Sequence, residues 1–301
     1  MTVVGERPRT LVVLDTLAPT SRLALLEPTR HLKGDHALLT PGPLPVRAVG
    51  PNASQSTLNL VGDDVPGTLR EITTVAAAGH YLPRGAIGYA WSRRLGADFF
   101  AVQHGLLTAY APPLAPDSRL LAWSSADADF WRAGRGDVDA EVVGSQLLWE
   151  AGAGATAVTD DRPTFLGQLH SAEIGRAAMA RFTGAFCRHE HLRYRPHPGE
   201  TDRLSRWQHA LWRRRGIDFD VSGLPLRDLP TPVVSVFSTG VLEAATRGVP
   251  AWVAFDRPPA WLEEFWERYG MSRYGGAATT APTRPLAEPA SLVAAAWEGR
   301  W

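Results

Sequence analysis

Two short segments place hydroxyl and imidazole side chains directly after predicted strands. The first, VVSVFSTG, runs from a buried apolar stretch into Ser238, Thr239 and Gly240, where a helix is predicted to begin. Amide groups and the dipole at a helix start attract anions, and a glycine there lets a phosphate approach the backbone. Glu243 follows in the expected first turn. Ordinary N-capping by the hydroxyls, with Glu243 as the capping-box partner, explains the same residues equally well.

The second segment, Tyr194–Glu200, reads YRPHPGE and holds one histidine between two prolines. Pro196 and Pro198 restrict the backbone around His197, so the imidazole is presented in a stiff loop at a strand end. Such a ring can donate a hydrogen bond to a phosphate or to a nucleobase carbonyl. Arg195 adds a cation to the same strand end. We therefore favour a binding function for this loop over a purely structural one.

Three further polar residues follow predicted strands. His104, after FFAVQ, is a candidate general base, since a histidine ordinarily titrates with a pKa of about 6.5. A role in shaping its own loop is the alternative. Asp15, at the end of TLVVL, is a rival base. Gln168 follows a short predicted strand and resembles a phosphate-binding or ribose-binding loop residue. The acidic pair Asp63-Asp64 is better explained as a solvated turn.

Composition excludes several classes of protein. The 301 residues include 31 Lys+Arg and 31 Asp+Glu, so a uniformly basic surface for nucleic acid is excluded. The sequence lacks GxGxxG, GxxxxGK[ST], HExxH and GxSxG, which disfavours nicotinamide enzymes, P-loop ATPases, zincins and α/β-hydrolases. The single cysteine, Cys187, is expected to be a buried structural residue. His189–His191 (HEH) lacks a third ligand in view, so no metal ion is predicted.

The elements that must position these residues alternate between strands and helices, which favours parallel sheets. The pattern restarts after the small-residue stretch Ala151–Ala157 (AGAGATA). We therefore predict an α/β protein with two facing Rossmann-like domains and a cleft between them. Residues 1–152 form the acceptor domain, and residues 153–301 form the nucleotide-donor domain, with a C-terminal tail that can return to the first domain. In such sheets ligands bind beyond the carboxyl ends of the strands.

Apolar runs and helical periodicity predict the individual elements. The predicted strands include Thr10–Leu14, Ala37–Leu39, Val46–Val49, Phe99–Gln103, Leu120–Trp123, Val138–Val143, Thr164–Leu166, Leu192–Arg195, Pro232–Phe237 and Val249–Phe255. The predicted helices include Ser171–Cys187, Thr201–Arg215, Gly240–Arg247, Pro258–Tyr269 and Ser291–Trp301.

The RPHP loop and, about forty residues later, the STG turn leading into LEAATRGVP resemble the donor half of GT-B glycosyltransferases that use cytidine-nucleotide donors. Bacterial polysialyltransferases and related sialyltransferases carry an HP motif and a later Ser/Thr motif in this order. The CDP-glycerol glycerophosphotransferases have similar spacing and a His-Gly turn like His104-Gly105. The resemblance implies that His197 and Pro198 contact the donor nucleotide phosphate and that Ser238 and Thr239 hold it.

The same resemblance does not supply a base. Sialyltransferases often use an acidic residue in a D/E-D/E-G tripeptide, whereas here Asp63-Asp64 is followed by Val65. His104 and Asp15 therefore stay as the candidate catalytic residues beside His197. The predicted donor site comprises Gln168, Arg195, His197, Pro198, Ser238, Thr239, Gly240 and Glu243.

We therefore expect an inverting, metal-independent glycosyltransferase of surface glycan synthesis. It moves a sugar or polyol phosphate from a CMP-linked or CDP-linked donor to the hydroxyl of a glycan or small-molecule acceptor. The donor is a substrate, and no separate cofactor is expected. A sugar-nucleotide epimerase or hydrolase on the same fold is one alternative. A non-catalytic homologue that binds a nucleotide or a glycan is another.

The sequence also carries an expectation about location. The polar stretch Met1–Thr10 is unlike a signal peptide, and no apolar run is long enough to span a bilayer. We expect a cytoplasmic protein, with the inner face of the membrane as a second option. Trp212–Arg215 (WRRR) fits either a solvated helix end or a peripheral membrane contact.

Overall fold

The computed structural model describes residues 1–45, 48, 53–55 and 64–300, and these divide into two compact units. Unit 1 draws on Met1–Gly105, Ala111–Trp149 and the C-terminal segment Pro285–Trp301. Unit 2 consists of Leu106–Tyr110 and Glu150–Arg284. Each unit contains its own β-sheet.

The described part of unit 1 contains an eight-stranded sheet in the order β4-β1-β3-β2-β5-β6-β7-β8. Its strands are β1 (Thr2–Val4), β2 (Thr10–Val13), β3 (His36–Leu39), β4 (Ala53–Gln55), β5 (Thr74–Ala77), β6 (Asp98–Val102), β7 (Arg119–Ala122) and β8 (Asp139–Val142). The strands from β3 to β8 in this order are parallel, while β1 runs antiparallel to both β3 and β4. The sheet is therefore parallel with an antiparallel edge.

Both faces of this sheet are buried, which explains the continuous apolar runs in its central strands. Alternate residues of β2 point to opposite faces, so Val12 and Leu14 enter one core cluster with Phe100. Leu11 and Val13 enter a second cluster, which includes Trp91.

The helices begin and end where local chemistry predicts. The α-helices are α1 (Pro19–Ser21), α2 (Pro83–Leu95), α3 (Ser125–Arg132), α4 (Gln146–Ala151), α5 (Arg176–His189), α6 (Arg203–Arg214), α7 (Thr239–Thr246), α8 (Ala260–Arg268) and α9 (Pro289–Trp297). Pro83 opens α2, where its missing N–H costs nothing, and Gly96 closes it in the left-handed conformation. Ser124 caps α3 by accepting a hydrogen bond from Asp127 N–H over 3.1 Å.

Unit 2 contains a four-stranded parallel sheet in the order β10-β9-β11-β12. Its strands are β9 (Thr164–Leu166), β10 (Arg193–Arg195), β11 (Val233–Ser235) and β12 (Ala251–Val253). Strand β9 lies between its two successors in the chain, and the register pairs Phe165 with both Tyr194 and Val234. The direction of strand order reverses at this point, so it is a topological switch point, where α/β sheets bind ligands.

The predicted α/β class with Rossmann-like parallel sheets is confirmed. Several boundaries differ from the prediction: β11 ends at Ser235 rather than at Phe237, and α5 begins at Arg176 rather than at Ser171. Strands β1 and β4 were not predicted. The predicted strand Val46–Val49 and the residue Asp63 lie outside the described residues. Within the described ranges, no helix is long and apolar enough to cross a membrane.

Candidate functional site

Three loops of unit 2 follow parallel strands and therefore meet at one edge of the sheet. The loop after β9 holds Gln168, the loop after β10 holds His197, and the loop after β11 leads into α7 at Ser238. We call this the carboxyl edge of unit 2. Because strands β10, β9 and β11 are neighbours in the sheet, their following loops are also neighbours.

Gln168 ties the first loop to the third. Its side-chain oxygen Oε1 accepts hydrogen bonds from the amides of Val236 (3.2 Å) and Phe237 (3.0 Å) and from Ser235 Oγ (3.0 Å). The residue is buried. Two backbone donors that would otherwise lie unpaired at the strand end are thereby satisfied. The position at the edge was predicted, and the structure shows a residue that holds two loops together.

Glu200 ties the first loop to the second. Its buried carboxylate accepts hydrogen bonds from the Leu169 amide (3.0 Å) and the Tyr194 hydroxyl (2.7 Å), and it lies 2.8 Å from His209 Nε2. Burial, followed by the negative charge of Glu200, raises the pKa of Tyr194. The network also requires Gly167, because a Cβ atom there would lie 2.2 Å from the Tyr194 hydroxyl. A rigid polar base therefore underlies the loop that carries His197.

His197 stacks on a second histidine of this edge. The rings of His170 and His197 lie 3.8 Å apart with an interplanar angle of 16°. The Gly199 amide donates a hydrogen bond of 3.0 Å to His197 Nδ1. In the neutral ring the proton must then sit on Nε2, which makes Nε2–H a hydrogen-bond donor. Pro198 lies in the same exposed turn and stiffens it.

The stack also sets the charge of the two rings. Partial desolvation lowers the pKa of both His170 and His197, and the neighbouring His170 lowers that of His197 further. Glu200 opposes the shift in both. Near neutral pH the pair is therefore neutral, and an anion beside it would favour protonation.

The start of α7 is capped by its own residues. Ser238 Oγ accepts a hydrogen bond from the Gly240 amide (3.1 Å), and the Ser238 carbonyl accepts one from the Val241 amide (3.1 Å). Two of the first three amides are thus already used, so an anion contacts them only by displacing the serine. Gly240 is needed for packing, because a Cβ atom there would lie 2.6 Å from Leu166 Cδ1. The expectation that it leaves room for a phosphate is replaced by this close helix–strand approach.

Glu243 lies in the fifth position of α7, beyond the first turn, so the capping-box interpretation is wrong. Its side chain is half-buried, and burial raises the pKa of this carboxyl group to about 7, although Arg247 one turn later opposes the shift. In the described part of the chain, no hydrogen bond to its carboxylate is found. It is therefore a carboxyl group that gains or loses a proton near neutral pH.

Arg195 is committed to a structural ion pair. Its Nη1 lies 2.6 Å from the Asp220 carboxylate, and its Nη2 donates to the Leu224 carbonyl. The carboxylate neutralises the guanidinium and fixes the segment after β10. The predicted role of Arg195 in stabilising a leaving phosphate is replaced by this role.

The remaining predicted catalytic residues belong to unit 1. The Asp15 carboxylate follows β2 and accepts hydrogen bonds from the Arg84 amide (2.7 Å) and the Gly85 amide (3.0 Å) at the start of α2. Both oxygens are therefore used to cap a helix. This arrangement favours a structural role for Asp15 over that of a catalytic base.

His104 follows β6 on a turn built by Gln103. The Gln103 side chain donates to the Gly105 carbonyl (3.0 Å) and accepts from the Trp123 amide (2.8 Å). A cavity of about 20 Å³, which is room for about one water, lies beside His104 and is also lined by Ser145. Burial lowers the pKa of His104, so the ring is neutral near pH 7 and retains a basic nitrogen. Its role as a general base stays a prediction.

Sequence reasoning missed four residues of the carboxyl edge: His170, Tyr194, Glu200 and His209. Two of them stood inside the quoted YRPHPGE segment, but their chemistry depends on partners elsewhere in the chain. His170, two residues after Gln168, offered the only local signal. Among the described residues, no group of three His, Cys, Asp or Glu side chains is arranged to hold a metal ion.

No family model matches the chain, and no curated protein matches it. Among solved structures, the UDP-GlcNAc 2-epimerase from Methanocaldococcus jannaschii is similar with a TM-score of 0.47 and 12% sequence identity. The match covers 94% of this chain and 98% of that chain.

Proposed function

We propose that unit 2 binds the nucleotide-activated donor of a glycosyltransferase or polyol-phosphate transferase. The observation that carries the proposal is the orientation of His197, whose Nδ1 is occupied by the Gly199 amide so that Nε2–H is the donor. Ser238 and Thr239 place two hydroxyls at the start of α7 at the same edge of the sheet. Imidazole and hydroxyl donors at a strand-end edge are suited to a phosphate.

The chemistry follows from the charge that develops on the donor. When an acceptor oxygen attacks the anomeric carbon, the bond from that carbon to the phosphate oxygen breaks, and the electron pair stays on the nucleotide phosphate. His197 Nε2–H and the hydroxyls stabilise this charge. The acceptor proton passes to a base, for which His104 is our candidate. The choice of a cytidine nucleotide rests on the resemblance of the RPHP and STG segments alone.

Glu243 is our candidate for a contact with the nucleoside. A carboxyl group with a pKa of about 7 accepts a hydrogen bond from a hydroxyl when ionised and donates one when protonated. It lies one turn inside α7, whose start we assign to the phosphate. Gln168 is assigned to positioning, because its polar oxygen is already used by the loop after β11.

A nucleotide panel tests the proposal. We expect one of CMP, CDP, UDP, GDP and ADP to raise the melting temperature of the full chain selectively. A ligand at a hundredfold excess over its Kd adds about 2.7 kcal/mol, or a rise of roughly 5–10 °C for a unit of this size. No stabilisation by any of the five would contradict the proposal.

His197→Ala locates the site. Loss of a hydrogen bond to a charged phosphate should weaken nucleotide affinity by at least about tenfold. His189→Ala is the matched control, because that exposed ring pairs with Glu190 at the end of α5. Titration calorimetry in buffers of different ionisation enthalpy should also show proton uptake, since the phosphate raises the lowered pKa of His197. Equal affinity and equal proton uptake in His197→Ala and the wild type would remove His197 from the site.

A further inference from the structure

Helices α5 and α6 concentrate positive charge in a chain whose net charge is zero. Their sequences, RAAMARFTGAFCRH and RLSRWQHALWRR, contain seven arginines and no acidic residue. The whole chain has equal numbers of acidic and basic residues. This pair of helices is therefore strongly cationic against a neutral background.

Helix α6 has two apolar stripes, and only one of them is buried. Ser205, His209 and Trp212 face the interior of unit 2. Leu204 and Trp207, three residues apart, stay 62% and 63% exposed, with Leu211 following at helical spacing. An exposed tryptophan and an exposed leucine on one face of a helix are costly in water unless something covers them.

Helix α5 continues this surface. Along one of its faces, exposed alanines alternate with exposed arginines at Ala177, Arg181, Ala185 and Arg188. A groove of about 420 Å³ lies between the two helices, and its charged lining residues are Arg181, Arg188 and Arg215. The two helices approach closely at Gly184, where a Cβ atom would lie 2.5 Å from Trp212 Nε1.

The arginines of this face are available for an external partner. Among the described residues, no ion-pair partner is found for Arg181, Arg188, Arg203, Arg214 or Arg215. By contrast, Arg176, at the start of α5, lies 3.4 Å from the Asp202 carboxylate and bonds Ser205. The unpaired cations thus lie on the same side as the exposed apolar residues.

We propose that this α5–α6 face docks on a bilayer surface that contains anionic phospholipid. Arginine guanidinium groups pair with headgroup phosphates, and Trp207 with Leu204 enters the boundary between headgroups and acyl chains. Charge complementarity identifies the lipid as anionic, and the exposed tryptophan favours a membrane interface over a purely polar polyanion. The proposal concerns a surface separate from the carboxyl edge and does not depend on the proposed nucleotide site.

Flotation of the full chain with lipid vesicles tests the docking face. We expect binding to vesicles in which about one-third of the lipid is phosphatidylglycerol, and little binding to pure phosphatidylcholine. High salt should release the protein, because it screens surface charges. No binding to the anionic vesicles, or equal binding to both kinds, would overturn the proposal.

Two double variants separate charge from insertion. Arg181→Gln with Arg188→Gln should weaken binding about thirtyfold, or about fivefold per charge. Leu204→Ser with Trp207→Ser should weaken binding while keeping its salt dependence. Arg257→Gln and Val221→Ser are controls for charge and exposed apolar area, because both residues are exposed and lie outside α5 and α6.

The controls and the oligomeric state exclude rival explanations. All variants alter exposed residues, so unchanged melting temperatures are expected. If the control variants reduce binding as much as the helix variants, the face has no special role and the proposal is wrong. Light scattering would also overturn it if the wild type is a dimer that the Leu204→Ser and Trp207→Ser variant dissociates, since the face would then bind a second copy.

Discussion

The two units solve the same structural problem at their switch points with different side chains. In unit 1, β2 lies between β3 and β5, and Asp15 at its end accepts two backbone amides from the start of α2. In unit 2, β9 lies between β10 and β11, and Gln168 at its end accepts two backbone amides after β11. The first position holds a carboxylate and the second a neutral amide.

This difference indicates which edge is open to an anion. Donors at the end of a parallel strand attract negative charge, and in unit 1 the protein supplies that charge itself. A phosphate approaching Asp15 would meet like charge in addition to occupied donors. Around Gln168 the donors are satisfied without added charge, and His197, Ser238 and Thr239 provide further donors. The comparison therefore favours unit 2 as the phosphate-binding unit.

The largest expected effects concern the glycines at the two helix starts. A Cβ atom on Gly85 would lie 2.0 Å from the Gly79 carbonyl oxygen, whereas one on Gly240 would meet the side-chain tips of Leu166 and Leu226 at 2.6 and 2.7 Å. Because a backbone atom yields less than a leucine methyl, Gly85→Ala should cost about 3 kcal/mol and Gly240→Ala about 1–2 kcal/mol. Calorimetric melting measures both.

Gly154→Ala is the control for these substitutions, since a Cβ atom there has no neighbour within 4 Å. A greater loss in Gly240→Ala than in Gly85→Ala would show that the start of α7 is the more rigid of the two. The phosphate site would then have less freedom to adjust than we infer.

A smaller effect concerns the buried carboxyl group of Glu243. Its folded pKa of about 7 lies above the unfolded value, so the folded state favours the protonated form. Stability is therefore full below about pH 4.5 and falls as the pH rises towards 7. Glu243→Gln, which cannot ionise, should match the wild type near pH 4 and exceed its stability by up to about 3 kcal/mol above pH 7. Parallel pH profiles of the two proteins, recorded by urea unfolding, would contradict this.

The smallest expected effects exchange the two switch-point side chains. Asp15→Asn removes the charge from the start of α2 and should cost about 1 kcal/mol. Gln168→Glu places a carboxylate at the carboxyl edge of unit 2 and should weaken nucleotide affinity about tenfold through like-charge repulsion. Gln208→Glu on α6 is the control for adding the same charge away from the edge. Unchanged affinity in Gln168→Glu would separate the phosphate from the switch point.

Local patterns predicted most of the central strands and the helix starts. Strands β2, β6 and β9 are apolar runs, and their identity is decided by burial on both faces. Strands β1 and β4 have three residues each and no such run, because they exist through antiparallel pairing at the edge of the sheet. Pairing between distant segments leaves no local trace in a short strand.

The amino-acid sequence by itself determined which polar residues follow strands, since both apolar periodicity and the side chains after it are local properties. It thus identified Gln168, His197 and Ser238 before their contacts were seen. Only the tertiary structure decided that His170 stacks on His197, that Glu200 joins Tyr194 and His209, and that Asp220 claims Arg195. The physical reason is that parallel pairing joins segments as far apart as Gln168 and Ser235, and a hydrogen bond across 67 residues follows from the sheet register, which spacing along the chain does not encode.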